Sequence, residues 1–159
     1  MKRVRLLLVV FLTLSIFGCD KAIEKHTITA KEILGNPSFQ AISYGGYREL
    51  TREIQPTIKE LKEDMKILQA LGIKILRTYN VHFAQAENLL KVIKALKDED
   101  DNFEMYVMLG AWIDCKNAFD FENGKPNHEE ENERNAIEIK TAVKLSQQYP
   151  DIVKILAVG

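Results

Sequence analysis

No stretch of this 159-residue chain holds the roughly 20 consecutive apolar residues that a membrane-spanning helix needs. Cysteine is nearly absent, with only Cys19 and Cys115, so at most one disulfide can form. The three histidines, His26, His82 and His128, fall in an N-terminal polar segment, a loop and a helix start, so no metal site is expected. No serine or cysteine stands in a nucleophile motif. After the first apolar strand the sequence Gly45-Gly46-Tyr47-Arg48 does not supply the Gly-x-Gly-x-x-Gly turn that cradles a dinucleotide, and no cofactor is expected. The cluster Asp98-Glu99-Asp100-Asp101 lacks the glycine and the ligand spacing of a calcium loop and reads as a solvated turn. There is no internal repeat, and no excess of basic charge: the formal net charge is −1. Nucleic acid is therefore not an expected partner.

What is present begins at the N-terminus. Lys2, Arg3 and Arg5 precede a run of twelve residues, Leu6–Phe17, that is apolar apart from Thr13 and Ser15. That is the pattern of an export signal. The junction Ile16-Phe17-Gly18-Cys19 resembles the lipobox at which bacterial lipoprotein signals are cut, which implies lipid attachment at Cys19. The expected organisation is a signal over residues 1–18, a polar tether over 19–38 and one domain over 39–159. Lipid-anchored placement at the cell envelope, on its periplasmic face or the cell surface, follows. An ordinary secreted protein is the alternative, as is a Cys19–Cys115 disulfide in place of the lipid. Without residues 1–18, 19 Lys and Arg face 23 Asp and Glu, a net charge of −4.

Beyond the tether, where a helical turn is expected around Thr29–Leu34, strands alternate with helices. Phe39–Tyr44 is a short apolar strand. Pro56 and Thr57 open a helix with Ile58, Leu61, Met65 and Leu68 at helical spacing, and Gly72 stops it. Ile73–Tyr79 is a second strand, residues 84–97 a second helix on Leu89, Leu90, Ile93 and Leu96, and Phe103–Leu109 a third strand. After a long loop, Asn127 with Glu130 forms a capping box that predicts a helix from there to about Tyr149. Ile152–Val158 is a fourth strand. Strands this apolar on both faces belong in a parallel sheet covered by helices. Two α/β architectures fit: an open doubly wound sheet, or the first four β/α units of a (β/α)₈ barrel, which needs roughly 250 residues.

In either architecture the site lies where strands end. Those ends carry Tyr44-Gly45-Gly46, Arg77-Thr78-Tyr79-Asn80, Leu109 to Asp114 and Ala157-Val158-Gly159. Ile73, Ile75, Arg77 and Tyr79 share one strand face, so an apolar stem gives way to polar groups, with Arg77 held either by a salt bridge or by a ligand. The loop 111–127 places Trp112, Phe119 and Phe121 near Asp114 and Asp120. Aromatic faces beside carboxylates suit a pyranose, although the same residues could lid the core. Asp114 and Glu49 are the carboxylates nearest the strand ends in sequence, and no second acid is placed to work with either.

Four blocks carry a resemblance. Tyr44-Gly45, Lys66 through Tyr79 (KILQALGIKILRTY), Val107-Met108-Leu109-Gly110 and Ile155-Leu156-Ala157-Val158-Gly159 resemble, in order and spacing, glycoside hydrolase family 17. The resemblance spans about residues 39–159. It implies a (β/α)₈ TIM barrel of which only the first four β/α units are present, a β-1,3-glucan partner, and retaining hydrolysis by two glutamates about 5–5.5 Å apart. It also implies that Tyr44, Arg77 and Tyr79 line the sugar subsite beside the cleavage point, with Trp112 and Asp114 joining on the third-strand loop, which departs from the family pattern after Gly110. The family's acid/base follows the fourth-strand motif as Val-Gly-Asn-Glu, and the sequence ends at Val158-Gly159. No catalytic residue is therefore expected within it, and by itself it is expected to be inactive and to dimerise across its open edges. The alternative function is a non-catalytic glycan-binding or structural envelope lipoprotein.

Overall fold

The computed structural model describes residues 27–119, 122 and 124–159. The expected signal, Cys19, Asp120 and Phe121 lie outside the described residues. Described elements run in the order α1 (Ala30–Ile33), β1 (Gln40–Ser43), α2 (Ile58–Ala70), β2 (Ile73–Arg77), α3 (Ala84–Glu99), β3 (Tyr106–Ala111), β4 (Cys115–Lys116), β5 (Asn127–Glu131), α4 (Arg134–Gln148) and β6 (Val153–Val158). Four strands form a parallel sheet in the order β1-β2-β3-β6, and β4 with β5 makes a separate two-stranded antiparallel ribbon. The fold is α/β, as the alternation of strand and helix predicts.

Local chemistry sets the element ends. At α2, Glu60 N–H donates to Thr57 Oγ1 at 3.3 Å while Thr57 N–H donates back to Glu60 Oε2 at 2.8 Å, a reciprocal cap. The helix stops at Gly72, whose φ of +80° is open to glycine and costly to other residues. Within α3, Leu89, Leu90, Ile93 and Leu96 are buried as their spacing predicts, and Leu61 and Met65 of α2 join them in one core with Leu76, Val107 and Leu109. Each such side chain contributes roughly 1.5–3 kcal/mol by leaving water. Inside the segment expected to be a tether, α1 forms one turn with Ile33 buried.

The helix expected from Asn127 begins later. Asn127–Glu131 is a strand, paired with β4 through Lys116 opposite Asn127 and Cys115 opposite Glu131. The capping-box side chains do meet, Asn127 Nδ2 donating to Glu130 Oε1 at 2.8 Å, but around extended backbone. Lys116 Nζ binds Glu130 Oε2 at 2.6 Å across the ribbon. The true start of α4 is marked by Asn132, whose Oδ1 accepts from Arg134 N–H at 3.0 Å.

Strand order decides what the sheet can present. The four parallel strands follow chain order without reversal. Because βαβ crossovers are right-handed, α2, α3 and α4 all lie on one face. Leu76, Val107 and Leu109 point to that face and are buried. Arg77 and Met108 sit opposite each other on the other face, where Arg77 is exposed. The last strand is an apolar edge: Leu156 is 40 % and Val158 67 % exposed, and α4 beside it leaves Ile137 67 % exposed.

Candidate functional site

The polar ends of β1, β2 and β3 are brought together by register. Tyr44 N–H donates to Arg77 O at 2.9 Å, and Thr78 N–H to Met108 O at 3.1 Å, so the three strand ends advance in step. Thr78, fully buried, turns its hydroxyl to accept Gly110 N–H at 3.0 Å. Gly110 has to be glycine: a Cβ there would lie 2.4 Å from Thr78 O and 2.7 Å from Tyr79 O.

A cleft of about 280 Å³ opens at the ends of β1 and β2, lined by Gly45, Tyr47, Arg52, Tyr79, Asn80 and Gln85. The guanidinium carbons of Arg52 and Arg77 stand 5.9 Å and 5.8 Å from the Tyr79 ring centroid, in cation–π range. Arg77 makes no ion pair among the described residues. Arg77, for which strand parity predicts a salt bridge or a ligand, is exposed at the strand end, although Ile75 on the same face is buried.

Tyr44, at the end of β1, is anchored to α2. Its ring is buried and its hydroxyl donates to Asp64 Oδ2 of α2 at 2.7 Å. Burial, and then this hydrogen bond, raise its pKa far above the ordinary tyrosine value, so it remains a donor. Arg48 donates to the other oxygen, Oδ1, at 2.6 Å, and that bond raises the already high pKa of the guanidinium. Tyr44 thus fastens β1 to the helix that follows it.

The third-strand loop is held by α4. Glu138, 3 % exposed, accepts Val81 N–H at 2.6 Å and Trp112 N–H at 3.1 Å on Oε1, while His82 Nδ1 lies 3.0 Å from its Oε2. One turn earlier, Asn135 Oδ1 accepts Asp114 N–H at 3.0 Å and its Nδ2 donates to Asp114 O at 2.9 Å. The backbone of Asp114 is locked in this way, and its carboxylate makes no hydrogen bond or ion pair among the described residues. Trp112 and Phe119 rings lie 6.2 Å apart, with Phe119 71 % exposed. Cys115 is a free cysteine on β4.

Arg77 with Tyr79, and Trp112 with Asp114, therefore form two groups at one end of the sheet, while Tyr44 serves as a strut. To Asp114 and Glu49, the pair that sequence proximity points to, the structure adds two carboxylates near the strand ends, Asp64 and Glu138. Both come from helices, remote in sequence, and both are consumed as acceptors. A larger cavity, about 660 Å³, sits at the opposite end of the strands among Phe103, Tyr106, Tyr149 and Ile152. In parallel α/β folds that end serves stability, so the smaller cleft is the functional candidate.

The chain resembles an endo-laminarinase. A crystal structure of the endo-laminarinase from Formosa Hel1_33_131 superposes with a TM-score of 0.79 at 62% sequence identity. The match covers 83% of this chain and 33% of the laminarinase, so the chain spans about a third of that protein's length. No protein-family model matches the chain, and no curated protein does. At that identity and TM-score the laminarinase and this chain share their fold over the matched part.

The residues missed in the sequence are those that support the strand ends. Asn135 and Glu138 open the buried face of α4, which continues through Ala142 and Leu145. Polar residues in phase with an apolar helix face are a legible signal of a second layer, once the helix start is placed correctly.

Proposed function

We propose that this chain is the N-terminal part of a retaining endo-1,3-β-glucanase of glycoside hydrolase family 17, built on a (β/α)₈ barrel. The observation that carries the proposal is the 62% identity with an endo-laminarinase across 83% of the chain. Unreversed strand order and an apolar, exposed β6 edge support it, because a barrel continues its strands around in one direction. In this reading Arg77, Tyr79, Trp112 and Asp114 bind β-1,3-glucan, and the two glutamates of the retaining reaction follow Val158-Gly159. The chain's own residues hold and orient the sugar, while the proton donor and nucleophile come from later strands.

The test is hydrolysis of laminarin. Residues 20–159 should release no reducing sugar, and the same chain extended through four further β/α units should release it with retained anomeric configuration. Turnover by residues 20–159, or none by the extended protein, would overturn the proposal. Anchoring is proposed separately: Cys19 carries the lipid, and Cys19→Ala should abolish labelling by a radioactive fatty acid. Labelling that persists in this variant would reject the anchor.

A further inference from the structure

We propose that the lipid at Cys19 joins the domain at the N-terminal ends of the strands, so that this end lies against the membrane and the cleft end, with Arg77, Tyr79 and Trp112, faces away from it. The proposal rests on the lipid anchor proposed above and is independent of the reaction assigned to the chain.

Residues 27–38 carry the inference, because the segment expected to be a slack tether is fastened to the body. Thr27 and Ile28 line the 660 Å³ cavity together with Phe103 and Glu104, just before β3, and Asp151 and Ile152, just before β6. These are the strand ends remote from the cleft. Thr29 N–H donates to Glu32 Oε2 at 2.8 Å and Asn36 Nδ2 donates to Glu32 O at 3.1 Å, which closes the turn of α1. Ile33 within that turn is 2 % exposed. Where the segment joins β1, the Phe39 ring stands 6.1 Å from that of Tyr106 and 5.0 Å from Lys74 Nζ.

Reach then decides the orientation. A tether of the expected length, from Cys19 to Phe39, would extend to about 66–72 Å and let either end of the domain turn to the membrane. The free part stops instead at Thr27, eight residues from Cys19, so its reach is at most about 26–29 Å whatever path it takes. Bringing the cleft end to the bilayer would require those residues to climb the full height of the domain. β3 alone spans about 20 Å over its six residues, and loops extend beyond it at both ends. Eight residues cover that only when drawn out straight along the flank, which surrenders nearly all their conformational freedom. With the other end against the bilayer the same residues keep their slack. Arg77, Tyr79 and Trp112 are thereby presented to polymer arriving from the aqueous side, and sugars carried on lipid headgroups of the same membrane lie out of their reach.

The lipid-modified protein, purified from membranes and returned to phospholipid vesicles whose headgroups carry a nitroxide quencher, tests this. Cys115→Ser removes the free thiol, and a fluorophore is then attached at Asp151→Cys beside the larger cavity or at Glu49→Cys on the loop after β1. Both positions are exposed, so neither substitution reaches the core. Quenching should be several-fold stronger at position 151 than at position 49, and an insert of about twelve Gly-Ser residues after Asp20 should even the two out. Equal quenching without the insert, or stronger quenching at position 49, would overturn the orientation. A difference that survives the insert would assign the orientation to a surface of the domain and overturn the tether as its cause. Glu129→Cys, exposed on β5, reports the cleft end if the Glu49 variant no longer melts cooperatively. Protein that is not retained on the vesicles, or whose Cys19 carries no acyl mass, would overturn the anchor and the orientation together and leave the glucanase reading intact.

Discussion

The carboxylate of Glu138 accepts the backbone N–H of Trp112 at 3.1 Å, although the two residues stand on different elements of the fold. The same oxygen also accepts Val81 N–H, at 2.6 Å, so one side chain of α4 fixes the loops after β2 and β3 together. Glu138→Ala should leave both donors unpaired and lower stability by about 2–4 kcal/mol, since each buried donor costs roughly 1–3 kcal/mol. Glu138→Gln keeps an oxygen for both N–H groups and should cost clearly less. Urea unfolding of the three proteins checks this; equal midpoints for alanine and glutamine variants would deny the clamp.

Gly110→Ala should destabilise by about 1–3 kcal/mol or more through overpacking. Its Cβ would meet Thr78 O at 2.4 Å, and backbone on a buried strand end cannot move aside as a flexible side chain can. A melting temperature within a degree of the unsubstituted protein would show that the strands shift freely there.

Arg77→Ala and Tyr79→Phe separate binding from folding. Arg77 is exposed and has no ion pair among the described residues, so its loss should change stability by no more than about 0.5 kcal/mol. Both variants should bind laminaritriose several-fold more weakly, on the scale of about 1 kcal/mol per lost contact. Undiminished affinity in both would leave these residues as ordinary surface.

Acid should loosen the start of α2. Hydrogen bonds from the Thr57 backbone N–H and then from its hydroxyl hold the Glu60 carboxylate below its ordinary pKa. A carboxylate with a lowered folded-state value contributes stability above its unfolded value, about 4.3, and loses it as pH falls through the folded value. Carbon-detected NMR titration should find Glu60 below that figure, and Thr57→Ala should return it toward 4.3 while costing about 1 kcal/mol of stability. Because alanine keeps the backbone N–H, an unaltered Glu60 titration in the variant would show that the hydroxyl bond contributes nothing to the shift.

Much of the fold was legible because its periodicities are plain. The apolar face of α3 and the runs of β2 and β3 read directly as core, and the resulting alternation predicts a parallel sheet. The start of α4 was not legible. Asn127 and Glu130 satisfy a helix cap equally well around a strand, and only long-range pairing with Cys115–Lys116 decides between them. Arg77 and Tyr79 were placed at the strand end by the alternation of side chains along β2. Tyr44 was placed there too, yet its hydroxyl is taken by Asp64, a partner twenty positions away in sequence that no local pattern announces.

The unreversed strand order has a consequence for how the molecule is made. Each strand of the main sheet pairs with the parallel strand synthesised just before it, so pairing can proceed while the chain leaves the ribosome. Partners are nonetheless far apart in sequence, Val107 pairing with Val153, so each pairing waits for its crossover helix and is slow to form. The Glu138 clamp spans 57 residues to Val81 and likewise cannot close until α4 has emerged. The loops at 81–82 and 112 should therefore gain protection against hydrogen exchange late, together with β6, which follows α4 in the chain, and after the core of β2 and β3 is already set.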